Sequence, residues 1–219
     1  MTTTPSEAPV TPGELPAAND QAAKPARSAA VQPVLEKLFE LYPNLFGANF
    51  LPLKLGIFQE LLAAHPEDFE RSTLKTALGM HTRSGRYLHS VAAGNARHDL
   101  QGVAVEPVTP EHIYLAMMEL FRRRQGRTQE DLRPRFRLQL MAAFEASGLT
   151  RQDYLTRVQT NAAGANVLLE EAFAERDLKL AKQEALVRAF EGSGKTLEEF
   201  ADMYGMDPRD VSRAVERQG

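Results

Sequence analysis

Apolar residues recur every three or four positions along most of the chain, which is the spacing of helices with one buried face. In the first half, this spacing predicts helices over residues 34–41 ending at Pro43, from Pro52, over residues 72–80, after Ser84 and from Thr109. Ser72, Thr82 and Ser84 are candidate N-caps, because a side-chain oxygen there can accept a hydrogen bond from a free backbone N–H. Residues 100–105 alternate instead, and Gln101-Gly102 predicts the turn of a small β-hairpin.

The second half of the chain is predicted to be wholly helical, and it contains an internal repeat. The segment from Leu140 to Thr150 resembles the segment from Leu186 to Thr196, with the same helix, Ser-Gly stop and Thr cap in each. A long helix from about Ala165 to Glu191 is predicted to join the two copies. We expect two helical hairpins that share one core.

The amino-terminal segment differs in composition from the rest. Residues 1–33 are rich in proline, alanine and threonine and contain no aromatic residue, so they cannot bury enough apolar surface to offset the entropy of ordering. We therefore predict a disordered tail over residues 1–33, a domain over 34–127 and an all-helical domain over 128–219. The expected fold class is mainly α with one small β-hairpin, followed by an all-α domain.

Composition excludes several function classes. The 219 residues include no cysteine, which excludes disulfides, zinc sites built on thiolates and cysteine nucleophiles. No apolar run approaches the ~20 residues that cross a bilayer. The first thirty residues carry acids and prolines and do not resemble a signal peptide. We expect a cytoplasmic protein with no membrane partner.

No pattern of catalytic or metal-binding residues is visible. The five histidines lack the spacing of metal ligands, and no Ser/His/Asp arrangement can be assigned. The segment from Glu191 to Thr196 resembles the end of a phosphate-binding loop, but it lacks the first glycine and follows a helix. We expect a protein that is not an enzyme and that needs no metal or cofactor.

The charges are unevenly distributed. The formal net charge is −3, which by itself argues against a nucleic-acid partner. From residue 71 to residue 98, however, five cations occur without a single acid. This window is a candidate anion site in a chain that is otherwise balanced or acidic.

The residue types in this window are typical of a site that binds phosphate groups and bases. Thr82 and Ser84 stand where a helix begins, and free backbone N–H groups there favour a phosphate. Tyr87 offers a ring that could stack on a base and a hydroxyl for a phosphate or ribose. Arg86 and Arg97 offer planar donors for phosphate oxygens. The alternative interpretation, with Tyr87 in the core and the arginines solvated, stays equally open on the pattern alone.

Four ordered segments resemble the ProQ/FinO family of bacterial RNA chaperones. They are Pro52–Leu61 (PLKLGIFQEL), Leu74–Leu78 (LKTAL), Thr82–Leu88 (TRSGRYL) and Gly94–Gly102 (GNARHDLQG). The resemblance covers about residues 34–124. It implies a compact, mostly helical domain with a small β element that binds structured RNA, especially terminator-like hairpins with a single-stranded 3′ tail. It further implies small RNAs and mRNA 3′ ends as partners in post-transcriptional regulation.

The resemblance also implies which residues contact RNA. Lys54 matches the lysine of the first segment, while Arg71 and Lys75 match basic positions on a helix that faces the RNA. The 3′-end pocket and its rim correspond to Thr82, Ser84, Arg86, Tyr87 and Arg97.

Three positions depart from the family pattern. Gly79 stands where some members have a basic residue, His81 replaces a common tyrosine, and Gly85 replaces a common tryptophan. We expect the pocket to persist with somewhat lower affinity. The tail and the helical domain lack the basic character of members that exchange strands strongly, so annealing activity stays open.

Residues 197–215 have the spacing of a helix-turn-helix. Phe200 and Ala201 are expected to pack inward, Gly205 to form the turn, and Val211 to anchor the second helix. The basic residues of that second helix are offset by acids. We favour a structural hairpin or a protein-docking surface over DNA binding, and keep a DNA-binding transcriptional regulator as the alternative function.

Overall fold

In the computed structural model, eleven helices and one two-stranded sheet span residues 23–48, 50–158 and 163–216, which are the residues that the structure describes. The predicted fold class, mainly α with a small β-hairpin followed by helices, is confirmed. The helices are α1 (Ala23–Leu41), α2 (Pro43–Phe46), α3 (Ile57–Ala64), α4 (Arg71–Thr82), α5 (Gly85–Ala92), α6 (Pro110–Gln125), α7 (Arg133–Ser147), α8 (Arg151–Val158), α9 (Ala163–Ser193), α10 (Leu197–Tyr204) and α11 (Pro208–Glu216). The strands are β1 (Arg97–His98) and β2 (Ala104–Glu106).

Helix α1 begins earlier than the composition indicates. It starts at Ala23 and continues through Pro33, so its first turns lie in the segment predicted to be disordered. The structure differs from the prediction there because Val31 is buried in the core beside the face that carries Leu38. The rest of the predicted tail, residues 1–22, lies outside the described residues.

The prediction of a helix start at Pro52 is wrong. Residues 52–54 are extended: the N–H of His98 donates to the carbonyl of Pro52 at 2.8 Å, and the N–H of Lys54 donates to the carbonyl of His98 at 2.9 Å. Helix α3 begins only at Ile57, after Gly56 takes a left-handed conformation with φ of 86°. These bonds attach the segment to β1 and place Leu53 beside the sheet.

The ends of α4 also differ from the prediction. Its N-cap is Glu70 rather than Ser72, because the Glu70 carboxylate accepts from the backbone N–H groups of Ser72 and Thr73 at 3.2 Å. Thr82 is not an N-cap. It is the last residue of α4, and its hydroxyl donates back to the carbonyl of Leu78 at 2.9 Å.

The predicted hairpin at Gln101-Gly102 is confirmed. Strands β1 and β2 pair antiparallel, with an irregularity between Arg97 and His98. The Asp99 carboxylate accepts from the N–H groups of Gln101 at 3.0 Å and Val103 at 2.9 Å, while Gly102 has φ of 76°. A side chain would be strained at that φ, so glycine is favoured there.

The first core lies between α1, α3, α4 and α5. Leu38, Leu61 and Leu74 have no exposed surface, and Phe69 and Val91 are buried in the same cluster. Burial of each large apolar side chain contributes about 2 kcal/mol to the free energy of folding. The exposed face of α4 and the first turn of α5 are thereby fixed relative to the hairpin.

The internal repeat is reproduced in three dimensions. Ser147 and Ser193 each donate to the carbonyl three residues earlier, at 2.6 Å in both copies. The ring pair Phe144–Tyr154 has a centroid distance of 5.2 Å and the pair Phe190–Phe200 one of 5.4 Å, both edge-on. The two segments therefore form equivalent helical hairpins.

The expectation that these hairpins share one core is wrong. The first hairpin packs in a cluster with Phe173, whereas the second packs separately around Phe200 and Val211. The reason is the length of α9, whose middle carries exposed apolar residues such as Leu178 between the two clusters.

Helix α6 contributes to two cores. Ala116 packs in the first core, while Tyr114 and Met117 pack in the cluster of the first hairpin. Because α6 packs in the cores on both sides of the predicted boundary, the domain boundary at residue 127 stays a prediction.

Among the described residues, no helix is long and apolar enough to cross a membrane, and no group of three potential metal ligands occurs.

Candidate nucleic-acid interface

The solvent-facing side of α4 and the residue that caps its end carry three cations, which we call the α4 cation row: Arg71, Lys75 and Arg83. Their positions fall within an arc of about 120° on the helix, opposite the face that buries Leu74 and His81. All three are exposed, and within the described part of the chain none of them forms an ion pair. An exposed row of unpaired cations on one helix favours contact with a phosphate backbone.

Arg83 is a candidate that the site prediction missed. Its guanidinium lies over Gly79, where a Cβ atom would be only 3.2 Å from the guanidinium nitrogen. The absence of a side chain at Gly79 thus leaves room for Arg83, which supplies a cation beside the position where some family members have one. Gly79 and Arg83 are four residues apart, which places them on the same face of a helix, and this spacing could have identified Arg83 from the sequence.

The amino terminus of α5 has the predicted cap. The Ser84 hydroxyl accepts from the N–H of Tyr87 at 3.2 Å, with the backbone of Ser84 extended. The N–H groups of Gly85 and Arg86 have no acceptor among the described residues. No atom lies within 4 Å of a Cβ built on Gly85, so this end of the helix is open. Free N–H groups at an open helix start can hold a phosphate or a terminal hydroxyl.

Tyr87 lies in the core. Its side chain is 7 % exposed, and its hydroxyl accepts from the N–H of Leu53 at 3.0 Å. The ring therefore has no free face for a base, which agrees with the alternative interpretation that places Tyr87 in the core. Burial raises the pKa of the hydroxyl, so it stays protonated near pH 7.

Arg97 is also buried, with 7 % of its surface exposed. Its Nη1 donates to the carbonyl of Leu53 at 2.9 Å, and its Nε lies 3.9 Å from the Glu106 carboxylate. A guanidinium has five N–H donors, so these contacts leave donors unused. Tyr87 and Arg97 thus bind the backbone N–H and the carbonyl of Leu53, respectively. Sequence patterns could not reveal this arrangement, because Leu53 lies far from both residues in the chain.

Lys54 is ion-paired. Its Nζ lies 2.5 Å from a carboxylate oxygen of Glu60, and this hydrogen bond raises the pKa of Lys54. The pair is half-exposed. An RNA phosphate would therefore have to compete with Glu60 for this cation, so Lys54 is a weaker candidate than the α4 cation row.

Arg86 is exposed, and its guanidinium is anchored to the domain. Its guanidinium donates to the carbonyl of Ala48 and lies over the ring of Phe50, 4.4 Å from the centroid. The imidazole of His81 packs against the other rings, 4.4 Å from Phe50 and 5.3 Å from Tyr87. Burial lowers the pKa of His81 to about 4, so this imidazole is neutral near pH 7.

The predicted residues thus form three groups. Arg71 and Lys75 lie on the outer face of α4. Ser84 and Arg86 lie at the start of α5, and Thr82 precedes them at the end of α4 without a capping role. Tyr87 and Arg97 meet at Leu53, next to Lys54. Together the first two groups present cations and free N–H groups on one continuous stretch from α4 to α5.

The carboxy-terminal segment forms two helices around a turn, with the residues predicted to pack inward buried. Phe200, Ala201 and Val211 are buried, and Gly205 ends α10 with φ of 64°. On α11, however, the guanidinium of Arg213 lies 2.7 Å from the Asp210 carboxylate. The second helix is thus partly neutralised on its own surface.

Comparison with protein families matches residues 28–133 to the ProQ/FINO family. Two curated relatives, both called RNA chaperone ProQ, illustrate the match. The protein from Aeromonas salmonicida is 41% identical over 91 residues, covering 40% of this chain and 43% of the relative. The protein from Idiomarina loihiensis is 38% identical over 93 residues, covering 41% of this chain and 45% of the relative. The chain thus spans less than half the length of these relatives.

Two solved structures also match. A FinO-like RNA chaperone from Neisseria meningitidis is 31% identical, with a TM-score of 0.38, and the match covers 41% of this chain and 93% of that one. A ProQ homolog from Legionella pneumophila is 28% identical, with a TM-score of 0.36, and the match covers 56% and 99% of the two chains.

Proposed function

Residues 28–133 form a domain of the ProQ/FINO family, and on this premise we propose that the protein is an RNA chaperone that binds structured RNA. The relatives from Aeromonas and Idiomarina carry that name, which supports the proposal. Such a protein acts by binding rather than by catalysis, and small RNAs and mRNA 3′ ends would be its partners in post-transcriptional regulation. Its place of action would be the cytoplasm.

The observation that carries the proposal is the continuous cationic stretch from α4 to α5. The α4 cation row is exposed and free of ion pairs, and the window from residue 71 to residue 98 contains no acid. This window is the longest acid-free cationic segment of the first domain. A-form RNA is recognised largely through phosphates and shape, which suits a row of cations without base-reading side chains.

The open start of α5 would receive the 3′ end of the RNA. Gly85 and Arg86 offer free N–H groups there, and Ser84 fixes the helix turn that presents them. Arg97 and the Tyr87 hydroxyl, buried behind this turn, would orient the pocket through Leu53. A terminator-like hairpin would thus lie with its duplex along α4 and its single-stranded tail at α5.

Two other roles concern the carboxy-terminal helices. Nothing in the comparisons supports the DNA-binding alternative, since the family match ends at residue 133 and the named relatives are RNA chaperones. The pairing of Arg213 with Asp210 also reduces the charge that α11 could present to DNA. A protein partner for these helices stays a proposal, and a pull-down with the full chain and with Val211 variants would test it.

Fluorescence anisotropy with a labelled RNA hairpin tests the proposed function. The hairpin carries a 3′ oligo-U tail and is compared with the same hairpin whose 3′ hydroxyl is replaced by a phosphate, and with a DNA hairpin of the same sequence. We expect the free-ended RNA to bind most tightly.

The comparison separates two parts of the proposal. Equal affinity for the RNA and the DNA hairpin would contradict recognition of structured RNA. Equally tight binding of the RNA hairpins with a free and with a blocked 3′ end would be consistent with RNA binding. It would contradict the assignment of the 3′ end to the start of α5.

A further inference from the structure

A groove of about 1290 Å³ runs between α5 and α6 on one side and α7 and α8 on the other. Its floor is apolar, with Ile113, Phe121 and Phe136 among the lining residues. This volume exceeds the usual range for sites that enclose a small molecule, which is about 300–1,000 Å³. A groove of this size and openness suits an extended chain.

The charges that line the groove are of one sign. Five arginines border it, namely Arg123, Arg124, Arg127, Arg135 and Arg157, and none of the lining residues is aspartate or glutamate. Arg124, Arg127, Arg135 and Arg157 are exposed and have no side-chain partner within the described residues.

Several arginines outside the groove are ion-paired. In the carboxy-terminal half, Arg133 pairs with Asp131 at 2.7 Å, and Arg188 pairs with Glu184 at 3.7 Å. Arg137 likewise pairs with two glutamates of α9. The groove thus gathers four arginines without side-chain partners on one surface that has no acidic lining residue. An anionic ligand would complement them.

One lining residue of the groove carries a buried polar atom. Tyr154 lines the groove with only 1 % of its surface exposed, and its hydroxyl has no hydrogen-bond partner among the described residues. A buried hydroxyl without a partner destabilises the folded chain by about 1–3 kcal/mol.

The groove continues from the proposed RNA interface. Gly85, at the start of α5, is one of its lining residues. At the same place, Nη1 of Arg123 donates to the carbonyl of Arg83 at 2.8 Å, which joins α6 to the turn between α4 and α5. The two strands of an RNA hairpin separate at its base, so a 5′ single strand would leave the duplex close to the 3′ end.

We propose that this groove binds the single-stranded RNA that flanks the 5′ side of the hairpin, through phosphate contacts with its arginines and apolar contacts of the bases with its floor. The inference rests on the proposed function. Arg135 and Arg157 lie outside the segment matched to the family, so the groove would extend the interface beyond that domain. Guanidinium groups bind phosphate oxygens in pairs and stack on bases, which favours RNA over an acidic peptide as the occupant.

The test measures two RNAs against three forms of the full chain. One RNA is the hairpin with its 3′ tail, and the other carries eight to ten additional unpaired nucleotides at the 5′ end. The proteins are the wild type, the groove variant Arg135→Ala/Arg157→Ala, and the control Arg133→Ala/Arg188→Ala, which removes the same charge outside the groove. Thermal unfolding of each protein checks that the folds are intact.

We expect the wild type and the control to bind the extended RNA more tightly than the short one. The groove variant should lose roughly tenfold in affinity for the extended RNA at 0.15 M salt, with a salt slope lower by about 1.4 for two single-strand contacts. Its affinity for the short hairpin should match that of the control.

Each other result has a defined meaning. An equal loss in the groove variant and the control, or no gain from the extension in the wild type, would overturn the inference while leaving hairpin binding intact. Failure of the wild type to bind either RNA would overturn both the inference and the proposed function. Binding of a labelled oligo-glutamate peptide that the groove variant alone loses, without a gain from the RNA extension, would assign the groove to an acidic peptide and overturn the inference.

Discussion

Tyr87 and Arg97 hold the two polar backbone groups of the same residue. The Tyr87 hydroxyl accepts from the N–H of Leu53 at 3.0 Å, and the Arg97 guanidinium donates to the carbonyl of Leu53 at 2.9 Å. Leu53 in turn lies beside His98 at the edge of the hairpin. Loss of RNA binding in a Tyr87 or Arg97 variant could therefore arise from a displaced Leu53 as well as from a lost RNA contact.

Tyr87→Phe should destabilise the fold. The substitution removes the only acceptor that the described residues give the Leu53 N–H, and an unpaired buried donor costs about 1–3 kcal/mol. Urea unfolding measures the change, with Tyr204→Phe as the control because Tyr204 is exposed. An unchanged free energy of unfolding together with a loss of RNA affinity would contradict the structural role and assign Tyr87 to the RNA.

Substitutions at Ser84 should separate stability from binding. Ser84→Ala removes the cap of α5 and should lower the free energy of unfolding by about 1 kcal/mol, whereas Ser84→Gly should cost only a few tenths. Ser84→Asp retains a capping oxygen but places a negative charge where the RNA end is proposed to bind. It should leave stability nearly unchanged and weaken RNA binding, and unchanged RNA affinity in this variant would exclude the site.

The stability of the protein should depend on pH through His81. Its pKa is lowered from 6.5 to about 4 in the folded chain because the imidazole is buried. The unfolded chain takes up this proton at higher pH than the folded chain does. The stabilisation is therefore complete above pH 6.5 and is lost as the pH falls towards 4, a change of about 3 kcal/mol.

A variant isolates this contribution. In His81→Phe the aromatic contacts with Phe46 and Phe50 are retained while the titrating group is removed. Its free energy of unfolding should fall less than that of the wild type between pH 6.5 and 4.5. Parallel curves for the two proteins would show that His81 is not the group responsible.

Gly85→Trp should be tolerated and should strengthen RNA binding. A Cβ at this position meets no atom within 4 Å, so the larger side chain can project into solvent at the start of α5. An indole there would offer a stacking surface to an unpaired base, which is worth about 1–3 kcal/mol per base. The affinity for a hairpin with a 3′ tail should rise several-fold over Gly85→Ala, and a hairpin without a tail should show no gain.

Local patterns in the sequence were sufficient for much of the fold. The cap at Ser84, the turn at Gly102 and the repeated hairpins depend on residues close together in the chain, and each is confirmed. The helix start at Pro52 was wrong because the bonds that keep this segment extended come from His98, far along the chain.

In the candidate site too, the sequence predicted local features but not contacts between distant segments. The charge pattern located Arg71 and Lys75 on an exposed face, since spacing within a helix determines which face a residue occupies. It could not show that Lys54 is paired with Glu60, or that Tyr87 is buried against Leu53 from a distant segment. The arginine-lined groove was likewise invisible, because it forms only where α7 and α8 pack beside α6.

The α4 cation row provides the most direct test of the account. The variant Arg71→Ala/Lys75→Ala removes two exposed cations of that row, and Lys179→Ala/Arg209→Ala removes the same charge from exposed positions elsewhere. The measurement is the dependence of hairpin RNA affinity on salt concentration for these variants and the wild type. We predict that the α4 variant binds more weakly, with a salt slope reduced by about 1 for each lost phosphate contact, while the control retains the wild-type slope. Identical slopes in all three proteins would contradict the assignment of RNA binding to this face.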